Sequence, residues 1–358
     1  MEFRGPRDHG QTAHQDARRW WNRLGAFGAV TVAAIAVAAC GGGGPAQTQG
    51  EDAAPTTAVG DATAGRAEGD PGCRRPYSDD SPWNTPISDS PKYLDRDIGV
   101  RGTLTSSPEQ YTYPVYYVSS ATPRRTVTVS GWFSNVVDGG ERLVNQRAGT
   151  TELPIPDAAE AAAGSDAQII LIDPVTGDEW GASNLKEVGD GVFEAWNAYH
   201  YSTKWTGVPP YDENGQPFWP RGAGVPYLAG LVRPCEVRRG RIDHALAFAY
   251  DSPSAENVFP ATKSDGDGPV GALPEGSRLQ LNPKLTAQDL SALGCAGPCL
   301  TIARALQRHG MYVIDNSGRP KVMLEYQGTA KWNGLAGADT VSPIPFSEFR
   351  VLAPEGTT

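Results

Sequence analysis

The chain has 358 residues, with 31 basic against 41 acidic side chains and a formal net charge of −10. Such an acidic balance argues against nucleic acid as a partner, because that binding rests on neutralising phosphates. The length is ample for a large buried core and suits one large β domain or two small ones.

The N-terminus reads as an address. Residues 1–23 carry five arginines against three acids, and Leu24–Ala39 is a run of sixteen residues without charge. A basic region followed by a short apolar one is the pattern of an export signal. A spanning helix needs roughly 20 apolar residues, so the run is short for an anchor. It ends in Val37-Ala38-Ala39-Cys40, which is similar to a bacterial lipobox and implies lipidation of Cys40. Arg18-Arg19 leaves both the general and the twin-arginine export routes open. Residues 41–72 contain no aromatic residue and one large aliphatic, Val59, too little apolar surface to offset ordering entropy. The expected organisation is a lipoprotein signal peptide over 1–39, a lipidated cysteine and disordered acidic linker over 40–72, and a β-sandwich domain over 73–358. This places a monomer on the outer face of the cytoplasmic membrane, touching it through the lipid anchor only.

Beyond Cys40, four of the five cysteines remain: Cys73, Cys235, Cys295 and Cys299. An even count in an exported chain suggests disulfides with three possible connectivities. Ala-Gly-Pro between Cys295 and Cys299 is a tight turn that favours joining those two, which would leave Cys73 with Cys235. A zinc site would need all four thiolates to converge, and the wide spacing after Cys73 disfavours that.

Within the domain most apolar runs are short, rich in Val, Ile, Tyr and Trp, and separated by Pro and Gly, an all-β pattern. Cys73–Ile87 is irregular. Strands are expected at Val115–Val118, Arg125–Val137, Gln168–Asp173, Glu179–Ser183, Val192–Ser202, Arg241–Asp251 and Ser277–Leu281. In Val192–Ser202, Phe193, Ala195, Asn197, Tyr199 and Tyr201 share one face, and Glu194, Trp196, Ala198, His200 and Ser202 the other. In the next long strand a small face of Ala245, Ala247 and Ala249 suits packing on a second sheet or a helix. Thr286–Leu293 and Leu300–His309 have helical spacing. Met311–Asp315 and Val322–Gln327 read as a hairpin turned at Asn316-Ser317-Gly318, and Ile344–Leu352 as a last strand. The expected fold is mainly β, a two-sheet sandwich or jelly roll with one packed helix.

The chemistry is less explicit. The sequence has no G-x-S-x-G elbow, H-E-x-x-H, P-loop or dinucleotide fingerprint. Glu194, Trp196 and His200 on one strand face, beside a loop holding Trp205, Tyr211, Phe218 and Trp219, resemble the parts of a sugar site. Aromatic faces stack on pyranose C–H groups while acids and imidazoles move protons. A glycosidase needs a second carboxyl roughly 5–10 Å away, with Asp173, Glu179 and Glu325 as candidates. His244 shares a face with Ile242, Leu246 and Phe248, which suits a buried framework residue as well as a proton carrier. Lys263 and Asp265 lie on the loop beyond Phe259-Pro260. Asp265-Gly266-Asp267-Gly268 is also a fragment of a calcium loop whose remainder is missing. No cofactor is expected, calcium being the one ion the pattern allows.

IDHALAFA, VFPATKSDG, LPEGSRLQLNP and a helix leading into RHGMYVIDNSG, with GVPYLAGLVRP and FEAWNA, resemble a family of secreted, mostly actinobacterial proteins with HAL, PATxxDG and PxGxRxxL signatures. The resemblance covers about Asp166–Leu352. It implies an exported, β-rich fold and brings no reaction with it. Glu194, Trp196, His244, Asp265, Arg278, Asp315 and Asn316 fall within its signatures.

The expected function is therefore a lipid-anchored, carbohydrate-active protein of the cell surface, a glycan hydrolase or polysaccharide lyase. Glu194, His244 and Asp265 are the catalytic candidates. Trp196, His200, Lys263, Arg278 and Asp315 are the substrate-binding ones, and a polysaccharide or cell-wall glycan is the partner. The alternative is a non-catalytic glycan-binding or structural envelope lipoprotein. A cleft that gathers ionisable groups would favour the enzyme.

Overall fold

The computed structural model describes residues 74–354. Cys40, the linker and Cys73 lie outside the described residues. No helix among the described residues is long and apolar enough to cross a membrane.

The protein is mainly β and built on two large sheets. One sheet runs Val115–Tyr117, Ile169–Ile172, Asp178–Ala182, Ala198–Ser202, Arg124–Val137, Val192–Ala195, Lys186–Gly189, with Arg142–Pro154 also paired to Arg124–Val137. The other runs Thr105–Ser106, Lys321–Val322, Leu246–Tyr250, Met311–Asn316, Arg278–Leu281, Phe349–Val351. Both are mixed: Leu246–Tyr250 is parallel to Met311–Asn316, and Arg124–Val137 is parallel to both Val192–Ala195 and Ala198–Ser202. The architecture is thus a mixed sandwich, whereas a jelly roll is antiparallel.

Side-chain size sets the layers. Ala245, Ala247 and Ala249 pack with Tyr312 and Ile314 against Val115, Ile170, Ile172, Tyr199 and Tyr201 of the larger sheet. Small residues on one sheet make room for tyrosines on the other, so the alanine face is the inter-sheet face. The alternate residues Leu246, Phe248 and Tyr250 turn outward, into a core shared with Ile302, Ala303 and Leu306 of the helix Pro298–Arg308. A third cluster, including Val127, Val129, Ile169 and Leu171, covers the far face of the larger sheet. Two shorter helices, Pro234–Arg238 and Ala287–Ala292, join the long one, and Thr286 caps the latter by accepting from the Asp289 N–H.

Three of the expected elements come out differently. Val192–Ser202 is two strands, broken at Trp196-Asn197, where the Gly131 N–H donates to the Trp196 carbonyl and the register of Arg124–Val137 slips. Only Leu246–Tyr250 of Arg241–Asp251 is strand. Lys321–Val322 does not pair with Met311–Asn316 as a hairpin, because Leu246–Tyr250 lies between them and Val322 pairs with Phe248.

Cys295 and Cys299 form a disulfide, and Cys235 is also disulfide-bonded. The Cys295–Cys299 loop is four residues apart in sequence, and so short a loop removes little unfolded-state entropy. Cys295→Ser with Cys299→Ser is expected to cost about 2 kcal/mol in a urea unfolding measurement.

Candidate functional site

Three carboxyl groups from three separate segments meet at the carboxyl end of Met311–Asn316, an interior strand of the smaller sheet. Asp315 stands near the carboxyl end of Met311–Asn316, just after the register slip that sets Ala249 opposite it. Such bulges re-aim side chains and are frequent next to active sites. Glu275 ends the short strand Pro274–Glu275. Its carbonyl accepts from the Val258 N–H at 2.8 Å, and the next residue, Gly276, donates to the Val313 carbonyl at 2.7 Å. Gly276 has φ +88° and lies so close to the Val258 carbonyl that any Cβ would collide. Only glycine allows this turn, which directs the preceding carboxyl inward. Asp265 comes from the loop beyond Phe259-Pro260. Ser264 fixes that loop, donating to the Ser254 carbonyl at 2.6 Å and accepting from the Gly266 N–H at 3.0 Å.

One oxygen from each of Asp265, Glu275 and Asp315 lies within 4.8 Å of the others. The segment Trp219–Gly224 passes over them. A Cβ at Gly222 would sit 2.6 Å from Glu275 Oε1, 2.7 Å from Asp265 Oδ1 and 2.9 Å from Asp315 Oδ1. Main chain can rest on all three oxygens because Gly222 has no side chain. The Lys263 ammonium fastens that segment, donating to the carbonyls of Arg221 at 2.5 Å and Gly222 at 2.7 Å. Arg221 is buried, bonds the Pro226 and Ala229 carbonyls, and lies over the Tyr113 ring. Gly222→Ala is expected to push the carboxyls apart and lower stability by about 1–3 kcal/mol, read as a drop in unfolding midpoint.

The electrostatics separate Glu275 from Asp315. Glu275 is wholly buried and neither of its oxygens accepts a hydrogen bond. Burial, followed by the charges of Asp265 and Asp315, pushes it up to about 10, with Lys263 opposing. Asp315 is half-buried; burial and then the Asp265 charge raise it to about 7, against Arg221 and Lys263. Asp265 is exposed. The Glu275 carboxyl therefore keeps its proton and can donate it in a hydrogen bond to Asp265, while Asp315 exchanges its proton near neutrality. The same oxygens are the ones that could hold a hard divalent cation; Asp267 is not among them.

Of the residues expected at a site, the structure brings together Asp265, Asp315 and Lys263. Glu194 is exposed on the larger sheet, opposite Thr128 and Lys186. Trp196 is 54% exposed at the strand break. His200 has both ring nitrogens engaged, by Asn135 and by Asp178, each at 2.9 Å. His244 is buried, with its ring between Glu236 Oε1 at 3.1 Å and the Ala245 carbonyl at 2.9 Å. Burial lowers its pKa, but Glu236 outweighs that and the net direction is up. No ring nitrogen is left for a substrate, so the geometry makes His244 framework. Arg278 braces main chain, donating to the His309 carbonyl at 2.8 Å and the Thr85 carbonyl at 2.6 Å.

The other carboxyl candidates are likewise occupied. Glu179 accepts from Tyr77, Tyr199 and the Leu228 N–H inside the inter-sheet core. Glu325 pairs with Arg233 at 2.6 Å, and Asp173 caps the turn at Val175 and Thr176. Sequence reasoning missed Glu275, Arg221 and Gly222. The pairing Glu275-Gly276, just before the expected strand Ser277–Leu281, was the available signal, since a glycine there allows a turn closed to other residues.

No protein-family model, no curated protein and no solved structure matches this chain.

Proposed function

We propose that this protein is an exported, lipid-anchored glycan hydrolase whose chemistry resides in Asp265 and Asp315. The carrying observation is the unequal pair: a half-buried Asp315 raised to about 7 beside an exposed Asp265, their oxygens within 4.8 Å. An acid that titrates near the working pH is the efficient one for proton transfer. Carboxyls this close suit the retaining geometry, at roughly 5–5.5 Å, better than the roughly 6.5–9.5 Å of inverting enzymes.

Asp315 gives its proton to the glycosidic oxygen as the anomeric C–O bond breaks, and Asp265 forms the new bond to the anomeric carbon. Water then displaces Asp265, leaving its proton on Asp315, and the pair returns to its starting state. Glu275 is a positioning residue, too buried to touch substrate, whose proton orients Asp265. Lys263 and Arg221 balance the crowded negative charge. Trp219, three residues before Gly222, stacks on Trp132 at 4.8 Å and supplies aromatic surface on the same segment.

The test is release of reducing ends by the full chain from a panel of cell-wall and uronate polysaccharides. Asp265→Asn and Asp315→Asn should each remove it. Binding to a glycan without turnover, unchanged in both variants, would support the non-catalytic alternative and end this proposal.

A further inference from the structure

A cavity of about 500 Å³ is lined by Arg75, Asn84, Arg239, Arg241, Arg308 and His309. That volume is in the range of small-molecule sites, roughly 300–1,000 Å³. Its residues come from the irregular N-terminal segment, the turn after Pro234–Arg238 and the end of the long helix. None belongs to the carboxyl trio.

Four guanidinium groups in one cavity are unusual in a chain of net charge −10. Two carboxylates line it with them: Asp79 pairs with Arg75, and Asp243 pairs with Arg241 at 2.6 Å and with Arg239 at 3.6 Å. Arg239 also reaches Glu236 at 4.0 Å, so Arg308 is the guanidinium left without a hydrogen bond or ion pair among the described residues. His309 is only 2% exposed, yet neither ring nitrogen has a partner. Burial, then His244, Arg278 and Arg308, hold it down to about 4 against the pull of Asp243, so the ring is neutral and offers one donor and one acceptor. Asn84 is as buried; its Nδ2 is fixed by the carbonyls of Pro76, Tyr77 and Ser78, while Oδ1 finds no donor. Buried polar atoms without partners cost stability, and a ligand that supplies partners recovers it.

We propose that this cavity binds a small phosphorylated molecule that also carries hydroxyl groups, of sugar-phosphate size. The arginines converge from three chain segments, which suits the tetrahedral oxygens of a phosphoryl group. A planar carboxylate is served by a single bidentate guanidinium. Ligand hydroxyls satisfy Asn84 Oδ1 and the acceptor nitrogen of His309. Arg278 donates to the His309 carbonyl at 2.8 Å and so holds the backbone of that lining residue.

The experiment is calorimetric titration of the full chain, in low-salt buffer without phosphate, with glucose 1-phosphate, inorganic phosphate and, as a carboxylate control, citrate. Saturable binding of glucose 1-phosphate is expected, weakened about tenfold or more in Arg308→Gln, a change at an exposed side chain. On saturation the His309 ring resonance should titrate at higher pH than in the free protein, as an anion beside an imidazole requires. Absence of saturable binding at millimolar ligand would overturn the proposal. So would citrate binding more tightly than either phosphate, or Arg308→Gln binding as well as the parent chain.

Discussion

Replacing Asp315 with asparagine is expected to lower kcat for glycan hydrolysis by about 10²–10⁴, the usual contribution of a positioned acid or base. The amide has the same shape, so substrate binding should survive. The fold should too, because the change removes one charge from a crowded acidic site. The pH profile distinguishes chemistry from a merely structural role. Burial and Asp265 raise Asp315 from its ordinary 3.8 to about 7. The reactive form is the protonated one, so kcat/KM of the parent chain should fall as pH rises through about 7. Asp315→Glu should keep that limb with reduced turnover, whereas Asp315→Asn should leave a flat residual rate. A parent profile with no inflection near 7, or full turnover in the asparagine variant, would remove Asp315 from the mechanism.

How much of this was legible follows from where side-chain periodicity exists. Arg124–Val137 was readable because Val127, Val129 and Gly131 are buried while Thr126, Thr128 and Ser130 face solvent. Its partner Arg142–Pro154 was not, because nearly all of its central residues are exposed and no face carries a pattern. The alanine face of Leu246–Tyr250 announced sheet packing through side-chain size alone. The supposed hairpin failed because a short connection says that two strands are near, and not that they are neighbours. The site was half legible. Lys263, Asp265 and Asp315 stood out as polar residues beside apolar strands. Glu275 carried no pattern in sequence, and only three-dimensional burial against Val258, Val313 and Gly222 marks it out. His244 was conspicuous in sequence, yet both of its nitrogens are spent on framework contacts.

Glu275→Gln carries the other large expectation, and it concerns stability. In the unfolded chain this carboxyl titrates at its ordinary 4.5, and in the folded chain burial and two neighbouring acids push it up to about 10. Below about 4.5 both states are protonated and its contribution to stability is fully present. Between the two values only the folded chain holds the proton, so stability is lost as pH rises, at about 1.4 kcal/mol per pH unit. Glutamine cannot ionise, and its amide can still donate to Asp265. The variant should therefore resemble the parent near pH 4 and exceed it by about 4 kcal/mol at pH 8, as an order of magnitude. Urea unfolding midpoints of the two chains at pH 4, 6 and 8 measure this. Parallel pH dependences would mean that Glu275 is not the group holding the proton. Asp265 would then lack its donor, and the positioning on which the proposed hydrolysis rests would fail with it. A variant that is more stable at pH 8 and slower in turnover would be the signature of a carboxyl kept buried to position Asp265, at a cost to the fold.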